Sequence, residues 1–210
     1  MPSTLTCRVE GGVAQVRLNR PDKLNALTLD TLEDLVATAR ELSANRTLRG
    51  VVIAGEGDSF CAGLDFATVL KNPPRVARSF VPNPLRGTNL FQEACLAWRR
   101  VPVPVVAAVH GHCYGGGLQI ALAADLRMTT ADAQWSVLEA KWGLVPDMSG
   151  IQALSQQVRM DVAAARPRGK VADGVAGDPR RASAELGRLG VDHIVETTVL
   201  AIRARTQKAK

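Results

Sequence analysis

The pattern of apolar and polar positions along the chain predicts strands and helices in a repeating order. Residues 13–19 alternate between apolar and polar side chains, which is typical of a half-buried strand. Apolar residues then recur at helical spacing over 29–43, after Thr28, which can cap a helix with acidic first turns. Residues 50–54 are β-branched and apolar on both faces, as in a buried parallel strand. The pattern predicts a βαβ unit with a right-handed crossover.

A buried strand, a glycine-bearing loop and a helix occur in succession twice. Residues 50–54 lead through the loop 55–63 to a short helix near 64–70. Residues 103–109 form a second doubly buried strand, and the glycine-rich segment 111–117 opens another helix. The remaining predictions are a mobile loop over 71–87, which holds four prolines, a helix over 88–100, short strands at 126–130 and 134–137, and a helix at 151–158. This order of elements predicts the α/β class.

Length and charge limit the function classes. A chain of 210 residues is long enough for one α/β domain and too short for two comfortable ones. Its net charge of +6 is uneven: residues 1–160 carry sixteen Lys and Arg against fourteen Asp and Glu, and residues 161–210 carry ten against six. No basic stripe interleaves with aromatic residues, so we expect no nucleic-acid partner. Without a signal sequence or a run of eighteen apolar residues, we expect a cytoplasmic protein with no membrane insertion.

Cysteine and histidine positions predict neither disulfides nor a metal site. The four cysteines, none of them in a C-x-x-C pair, are Cys7, Cys61, Cys95 and Cys113. Free thiols in a reducing compartment are the expected state. His110 and His112 are two residues apart, and such a pair rarely binds a metal without a third ligand, so we expect no bound metal.

The two glycine-bearing loops can converge and offer backbone N–H groups to a ligand. A thioester develops negative charge on its carbonyl oxygen when an α or γ proton is removed or the β carbon is attacked, and pre-aimed N–H donors stabilise that charge. Glycines let the backbone approach the ligand without an intervening Cβ. A dinucleotide-binding turn starting at Gly111 would need glycine where Cys113 stands. No G-x-S-x-G motif supports a serine hydrolase either.

A series of short motifs occurs in a fixed order over residues 13–160. They are Leu18–Pro21 with Asn25–Leu27, Phe60–Asp65, Pro104–Val109, Gly115–Gly117, Ala124–Asp125, Glu139 and Gly143–Asp147. In combination they resemble the crotonase, or enoyl-coenzyme A (CoA) hydratase/isomerase, superfamily. The resemblance implies an α/β fold with the crotonase-like β-β-α spiral, an acyl-CoA thioester as partner, and assembly into trimers or hexamers. Coenzyme A would be part of the substrate, so we expect no separate cofactor.

The resemblance also implies roles for individual residues. Ala62 and Gly116 would be the backbone donors of an oxyanion hole, and Glu139 would carry the proton. Asp147, eight residues after Glu139, resembles the second acidic residue of dienoyl-CoA isomerases. Residues 62–66 would lie against coenzyme A, and the acyl chain would pass between Tyr114 and the segment 138–142. The implied substrate contacts are Ala26, Gly63, Leu64, Asp65, Phe66, Tyr114, Gly115, Gln119, Leu138 and Trp142.

Gln119 departs from the family pattern, because hydratases of this family carry a second glutamate there. A carboxamide can orient water but cannot accept its proton near neutral pH. Three functions therefore stay open: hydration of 2-enoyl-CoA in fatty-acid metabolism, isomerisation of enoyl- or dienoyl-CoA through Glu139 and Asp147, and acyl-CoA binding without turnover by a degenerate protein.

The sequence changes character near residue 160. Residues 1–160 predict a crotonase-like core domain, and residues 161–210 predict a short, atypical C-terminal helical tail. Residues 166–169 break the helix there, and the T-G-R and A-x-E-A segments of the family are missing. We hypothesise a change of reading frame or a truncation near codon 163.

Overall fold

The structure, a computed structural model, describes residues 4–157. The strands are β1 (Leu5–Glu10), β2 (Val13–Leu18), β3 (Gly50–Gly55), β4 (Val105–Val109), β5 (His112–Tyr114), β6 (Leu126–Thr129) and β7 (Gln134–Ser136). The α-helices are α1 (Leu29–Ala44), α2 (Phe66–Val69), α3 (Pro73–Ser79), α4 (Leu90–Leu96), α5 (Gly116–Ala123) and α6 (Gly150–Gln157). Short 3₁₀ helices lie at Pro21–Lys23, Trp98–Arg100 and Leu138–Trp142. The tail predicted over 161–210 lies outside the described residues.

The predicted βαβ unit is present as β2, α1 and β3. The hydroxyl of Thr28 accepts a hydrogen bond from the N–H of Thr31, which caps α1 at the predicted position. One face of α1 is buried in the core, with Leu32 and Leu35 fully enclosed. Strands β2 and β3 pair in parallel, as a helical crossover requires. The periodicity of the sequence therefore predicted this unit correctly.

One sheet of the described part carries the main core. Its strand order is β1-β2-β3-β4-β6, with β1 antiparallel to β2 and the other neighbouring pairs parallel. Every residue of β3 and β4 is buried, which explains their uninterrupted apolar sequence. Because β3 and β4 are parallel neighbours, the loops at their carboxyl ends leave from one edge of the sheet. This edge carries the candidate site.

Two segments differ from the sequence-based expectation. The predicted mobile loop over 71–87 contains helix α3, because Asn72 caps it by accepting from Arg75 N–H and two prolines occupy its first turn, where no amide donor is needed. The glycine-rich segment 111–117 contains strand β5, which pairs in parallel with β7. Strand β1, whose residues from Leu5 to Glu10 alternate between apolar and polar, is a further element that the sequence-based predictions do not include.

Within residues 4–157, no helix is long and apolar enough to cross a membrane.

Candidate active site

At the end of the loop after β3, over residues 60–65, the N–H group that no neighbour uses belongs to Leu64. Leu27 N–H donates to Gly63 O at 2.7 Å, and Asp65 N–H donates to Leu27 O at 2.8 Å. In such a parallel bridge, the polar groups of the residue between the two partners point the opposite way. Accordingly, Leu64 N–H has no acceptor among the described residues.

Ala62, predicted as an oxyanion donor, already uses its N–H group. That group donates to Leu24 O at 2.9 Å, so it is not available to a substrate oxygen in this structure. The prediction for Ala62 is corrected on this geometric ground, and the available donor in the loop lies two residues further on, at Leu64.

The second loop presents the N–H of Gly116, which begins helix α5. The first N–H groups of a helix have no acceptor within the helix, and Gly116 N–H has none elsewhere in the described chain. The preceding Gly115 N–H is occupied, since it donates to Ser136 O at 3.0 Å. The N–H of Gly116 is therefore unused in the described chain, and its role as an oxyanion donor stays a prediction.

The two loops approach each other closely at Gly63. A Cβ on Gly63 would lie 3.7 Å from Gly116 N and 3.1 Å from Tyr114 O. The residue also has a φ of +94°, a conformation that side chains rarely adopt. The close approach of the two loops therefore requires glycine at this position.

Asn25 fixes the base of the first loop. It is buried and has a positive φ of 56°, and its amide nitrogen donates to Ser59 O at 2.7 Å and Glu56 O at 2.9 Å. Its amide oxygen accepts from Arg20 N–H at 2.9 Å. Sequence reasoning placed Asn25 in a motif but gave it no role. The signal that could have revealed its structural role is an asparagine beside a turn.

The two loops open onto a cavity of about 500 Å³. Of the predicted site residues, those that line it are Ala62, Gly63, Leu64, Phe66, Gly115, Gly116, Gln119, Leu138, Glu139 and Asp147. Ala26, Asp65 and Tyr114 are not among its lining residues. Asp65 caps α2 and pairs with Arg20 at 3.1 Å. The side chain of Trp142 lies outside what the structure describes.

Tyr114 therefore does not line the acyl path as predicted. Its hydroxyl donates to Gln134, and its ring meets His112 edge-on. Alternation along β5 explains this, because Cys113 points into the core and its neighbours His112 and Tyr114 lie on the opposite face.

The far wall of the cavity comes from residues that sequence reasoning missed. They are Val69, Leu70, Val76, Phe80 and Phe91 from helices α2 to α4 and their junctions, with Leu144, Val145 and Met148 nearby. The rings of Phe80 and Phe91 stack at 4.7 Å between centroids. The apolar spacing within 66–80 is the signal that could have revealed this wall, had the prolines not indicated a loop. The cavity suits an apolar chain beside a polar, charge-stabilising end.

Glu139 places its carboxyl group at the polar end of the cavity. Gln119 Nε2 donates to Glu139 Oε1 at 2.6 Å, whereas Glu139 Oε2 is buried and has no partner among the described residues. A Cβ on Gly115 would lie 3.4 Å from Oε1, so the carboxylate lies directly against the second loop. One carboxylate oxygen is thus held and the other is free.

Burial raises the pKa of Glu139 above the usual glutamate value, and the negative charge of Asp147 adds to this effect. Hydrogen bonds from the backbone of Glu139 itself and from Gln119 act in the opposite direction and lower this pKa, since they stabilise the ionised carboxylate. Asp147 is exposed and lines the same cavity. A carboxylate with a raised pKa is suited to exchanging a proton with substrate.

The buried thiols near the loops are poor nucleophiles. Burial raises the pKa of Cys61 to about 12 and that of Cys113 well above the usual thiol value. Within residues 4–157, no group of three His, Cys, Asp or Glu side chains could hold a metal ion.

The chain belongs to the enoyl-CoA hydratase/isomerase family, whose profile matches residues 8–166. It is 34% identical to the short-chain-enoyl-CoA hydratase of Clostridium acetobutylicum over 73% of this chain and 57% of that protein. It is 35% identical to the human mitochondrial Delta(3,5)-Delta(2,4)-dienoyl-CoA isomerase over 70% of this chain and 46% of that protein. The chain thus spans about half the length of the curated relatives it matches.

Solved structures share the fold. The enoyl-CoA hydratase of Mycobacterium smegmatis superposes with a TM-score of 0.76 at 28% identity, over 96% of this chain and 77% of that one. A Thermobifida fusca protein solved in complex with acetoacetyl-CoA gives a TM-score of 0.69 at 26% identity, over 98% and 85% of the two chains. The predicted crotonase-like α/β fold is confirmed.

Proposed function

We propose that this chain binds an acyl-CoA thioester and catalyses the addition of water to a 2-enoyl-CoA in fatty-acid metabolism. One observation carries the proposal: the residues with unused backbone N–H groups, Leu64 and Gly116, line an apolar cavity together with Glu139, whose Oε2 has no partner among the described residues. Such donors stabilise an oxyanion that forms at the thioester carbonyl. The relatives named for enoyl-CoA and the neighbour solved with acetoacetyl-CoA support the same ligand class.

In this mechanism a single carboxylate moves the proton. Water attacks C3 of the enoyl group, and its proton passes to the ionised Glu139. The negative charge moves to the thioester oxygen, where Leu64 and Gly116 N–H groups bind it. Glu139 then returns the proton to C2, and the C2–C3 double bond becomes a C3–O and a C2–H bond. The reaction needs no cofactor, because coenzyme A is part of the substrate.

Double-bond isomerisation is the second candidate, and Gln119 favours it. An amide that donates to Glu139 cannot itself act as a second base, whereas Asp147 lines the same cavity and could exchange a proton further along the chain. Glu139 would remove a proton from C2, and reprotonation at C4 would move the double bond. The dienoyl-CoA isomerase among the relatives supports this reading.

Assembly and location remain proposals. Trimers or hexamers and a cytoplasmic location are what the family resemblance and the sequence suggest, and sedimentation of the full chain would measure the first.

The test of the function is a progress curve with crotonyl-CoA and with a longer 2-trans-enoyl-CoA, following loss of the conjugated-enoyl absorbance. Hydration predicts loss with the native chain and none with Glu139→Gln. No loss with 2-enoyl substrates, together with conversion of a 3-enoyl or dienoyl substrate, would support the isomerase. Ligand binding without any conversion would identify the degenerate binder.

The oxyanion hole has its own test in a pair of glycine variants. Gly63→Ala places a Cβ 3.1 Å from Tyr114 O and should displace the Leu64 N–H. We expect kcat to fall about tenfold to a hundredfold, somewhat less than the loss of a whole donor. Gly87 also has a positive φ, of +68°, but open space around it, so Gly87→Ala should match the backbone strain without changing kcat. Equal kcat in both variants would remove Leu64 from the mechanism.

A further inference from the structure

Gln119 connects two parts of the site that are far apart in sequence. Its side chain is 1% exposed and lies in α5. Its Nε2 donates to Glu139 Oε1 at 2.6 Å, and its Oε1 accepts from Gly150 N–H, at the start of α6, at 2.8 Å. One amide therefore bridges the proposed proton carrier and the helix that follows it.

The chemistry of the two partners requires an amide in this place. Gly150 N–H can only donate, so the oxygen of Gln119 must face it, and the nitrogen must then face Glu139. An ionised Glu139 can only accept, so the pair is complementary. A glutamate at position 119 could accept from Gly150 but, when ionised, would have nothing to donate to Glu139.

Neighbouring glycines leave room for this bridge. A Cβ on Gly150 would come within 2.6 Å of Gln119 Oε1, and a Cβ on Gly115 would lie 3.4 Å from Glu139 Oε1. Larger residues at these positions would push the amide or the carboxylate away. Close packing therefore fixes the position of Gln119 Oε1 at one end of the bridge and of the Glu139 carboxylate at the other.

We propose that Gln119 is a positioning residue that clamps Glu139 Oε1 to the start of α6 and leaves Glu139 Oε2 as the single oxygen free to exchange a proton with substrate. This inference rests on the proposed function for the role of Glu139, although the clamp itself can be measured without turnover. Gln119 is accordingly a functional part of a site with one catalytic carboxylate. Its amide holds both Glu139 and the start of α6 by hydrogen bonds, which an ionised glutamate at position 119 could not do.

The experiment compares three variants of the full chain. Gln119→Met keeps the length of the side chain and removes both hydrogen bonds. Gln119→Glu keeps an acceptor for Gly150 and loses the donor to Glu139. Gln156→Met makes the first substitution at an exposed position of α6 and serves as the matched control. Carbon-13 NMR of the Glu139 carboxyl, assigned with Glu139→Gln, follows its titration, and amide hydrogen exchange follows Gly150.

The clamp predicts a different result for each variant. In Gln119→Met the pKa of Glu139 should rise by about one unit, because the ionised form loses its donor, and Gly150 exchange should accelerate about tenfold or more. In Gln119→Glu the pKa should rise at least as far, while Gly150 stays protected. Gln156→Met should change neither. If Gln119→Met does not fold, Gln119→Asn, whose amide is one methylene too short to reach both partners, replaces it.

Unchanged Glu139 titration in Gln119→Met, or an equal change in Gln156→Met, would overturn the proposal. A native chain that converts no thioester would defeat the proposed function and leave the NMR result standing. Where the native chain is active, Gln119→Met should lower kcat and move the acidic limb of the pH profile to higher pH, with KM little changed. A rise in KM with an unchanged kcat would also contradict a positioning role.

Discussion

Two glutamates of this fold, the buried Glu93 and the half-buried Glu139, have opposite pKa shifts. Glu93, in α4, has both carboxylate oxygens bonded: Thr88 donates to Oε1, and Arg86 and Arg100 donate to Oε2. Burial alone would raise the pKa of Glu93, but these donors outweigh it and lower the pKa. A satisfied carboxylate of this kind stabilises the fold and is not free to move a proton.

Glu139 has only neutral donors, and its Oε2 has no hydrogen-bond partner among the described residues. Burial and the charge of Asp147 raise its pKa, and the hydrogen bonds from its own backbone and from Gln119 offset only part of that effect. The comparison shows that desolvation alone does not mark a functional acid. What distinguishes Glu139 is the oxygen left without a partner at the wall of a cavity.

The largest expected effect is on turnover. Glu139→Gln should lower kcat by about 10²-fold to 10⁴-fold, the usual contribution of a general acid–base, while Glu93→Gln should leave kcat within about threefold. Initial rates at saturating thioester would measure both. Similar losses in the two variants would remove the distinction between the carboxylates.

Stability should respond in the reverse order. Glu93→Gln should lower the free energy of unfolding by about 2 kcal/mol, less than for a fully buried ion pair because Arg86 and Arg100 are partly exposed. Glu139→Gln should leave it unchanged or slightly increase it, since it removes a poorly solvated charge. Urea unfolding at neutral pH measures both values; a large destabilisation by Glu139→Gln would show that its carboxylate is structural.

The pH dependence of stability should have opposite signs at the two sites. Because the pKa of Glu93 is lowered on folding, its contribution is present above the usual glutamate value of 4.5 and is lost as pH falls through the folded pKa. Because the pKa of Glu139 is raised, its ionisation costs stability as pH rises through the folded pKa. The free energy of unfolding of each variant is compared with that of the native protein at the same pH. On going from pH 4 to pH 7, this difference should become more favourable for Glu139→Gln and less favourable for Glu93→Gln. Parallel curves for the two variants would contradict these assignments.

The smallest effect concerns Asp147. Removing its charge with Asp147→Asn should lower the pKa of Glu139 and move the acidic limb of kcat/KM about half a pH unit lower. If the reaction is hydration, kcat should change less than about fivefold. Asp132→Asn, away from the cavity lining, is the control and should shift nothing. A loss of activity as large as that of Glu139→Gln would instead favour isomerisation through both carboxylates.

Much of the fold followed from local patterns. Apolar patterning predicted α1 because one face of the helix is buried, and it predicted the strands β3 and β4 because each is an apolar run that is buried throughout. The four prolines of 71–87 predict a loop and hide helix α3, although Asn-Pro-Pro is also a good helix start.

The site was only partly predictable. Motif order located both loops and Glu139, but it could not show which N–H in the first loop turns inward. That depends on the parallel bridge between Leu27 and Leu64, which occupies the groups on either side. The bridge by Gln119 was also invisible, because it joins residues that are 20 and 31 positions away.

The measurement that tests the account most directly is deuterium exchange at C2 of a 3-trans-hexenoyl-CoA in D₂O, followed by NMR. Hydratase and isomerase chemistry both require the stabilised thioester enolate, and this exchange reports its formation. The account predicts exchange above the buffer rate with the native chain and with Glu93→Gln, and none with Glu139→Gln. Exchange that persists in Glu139→Gln, or a native chain that binds the thioester without exchange, would contradict it.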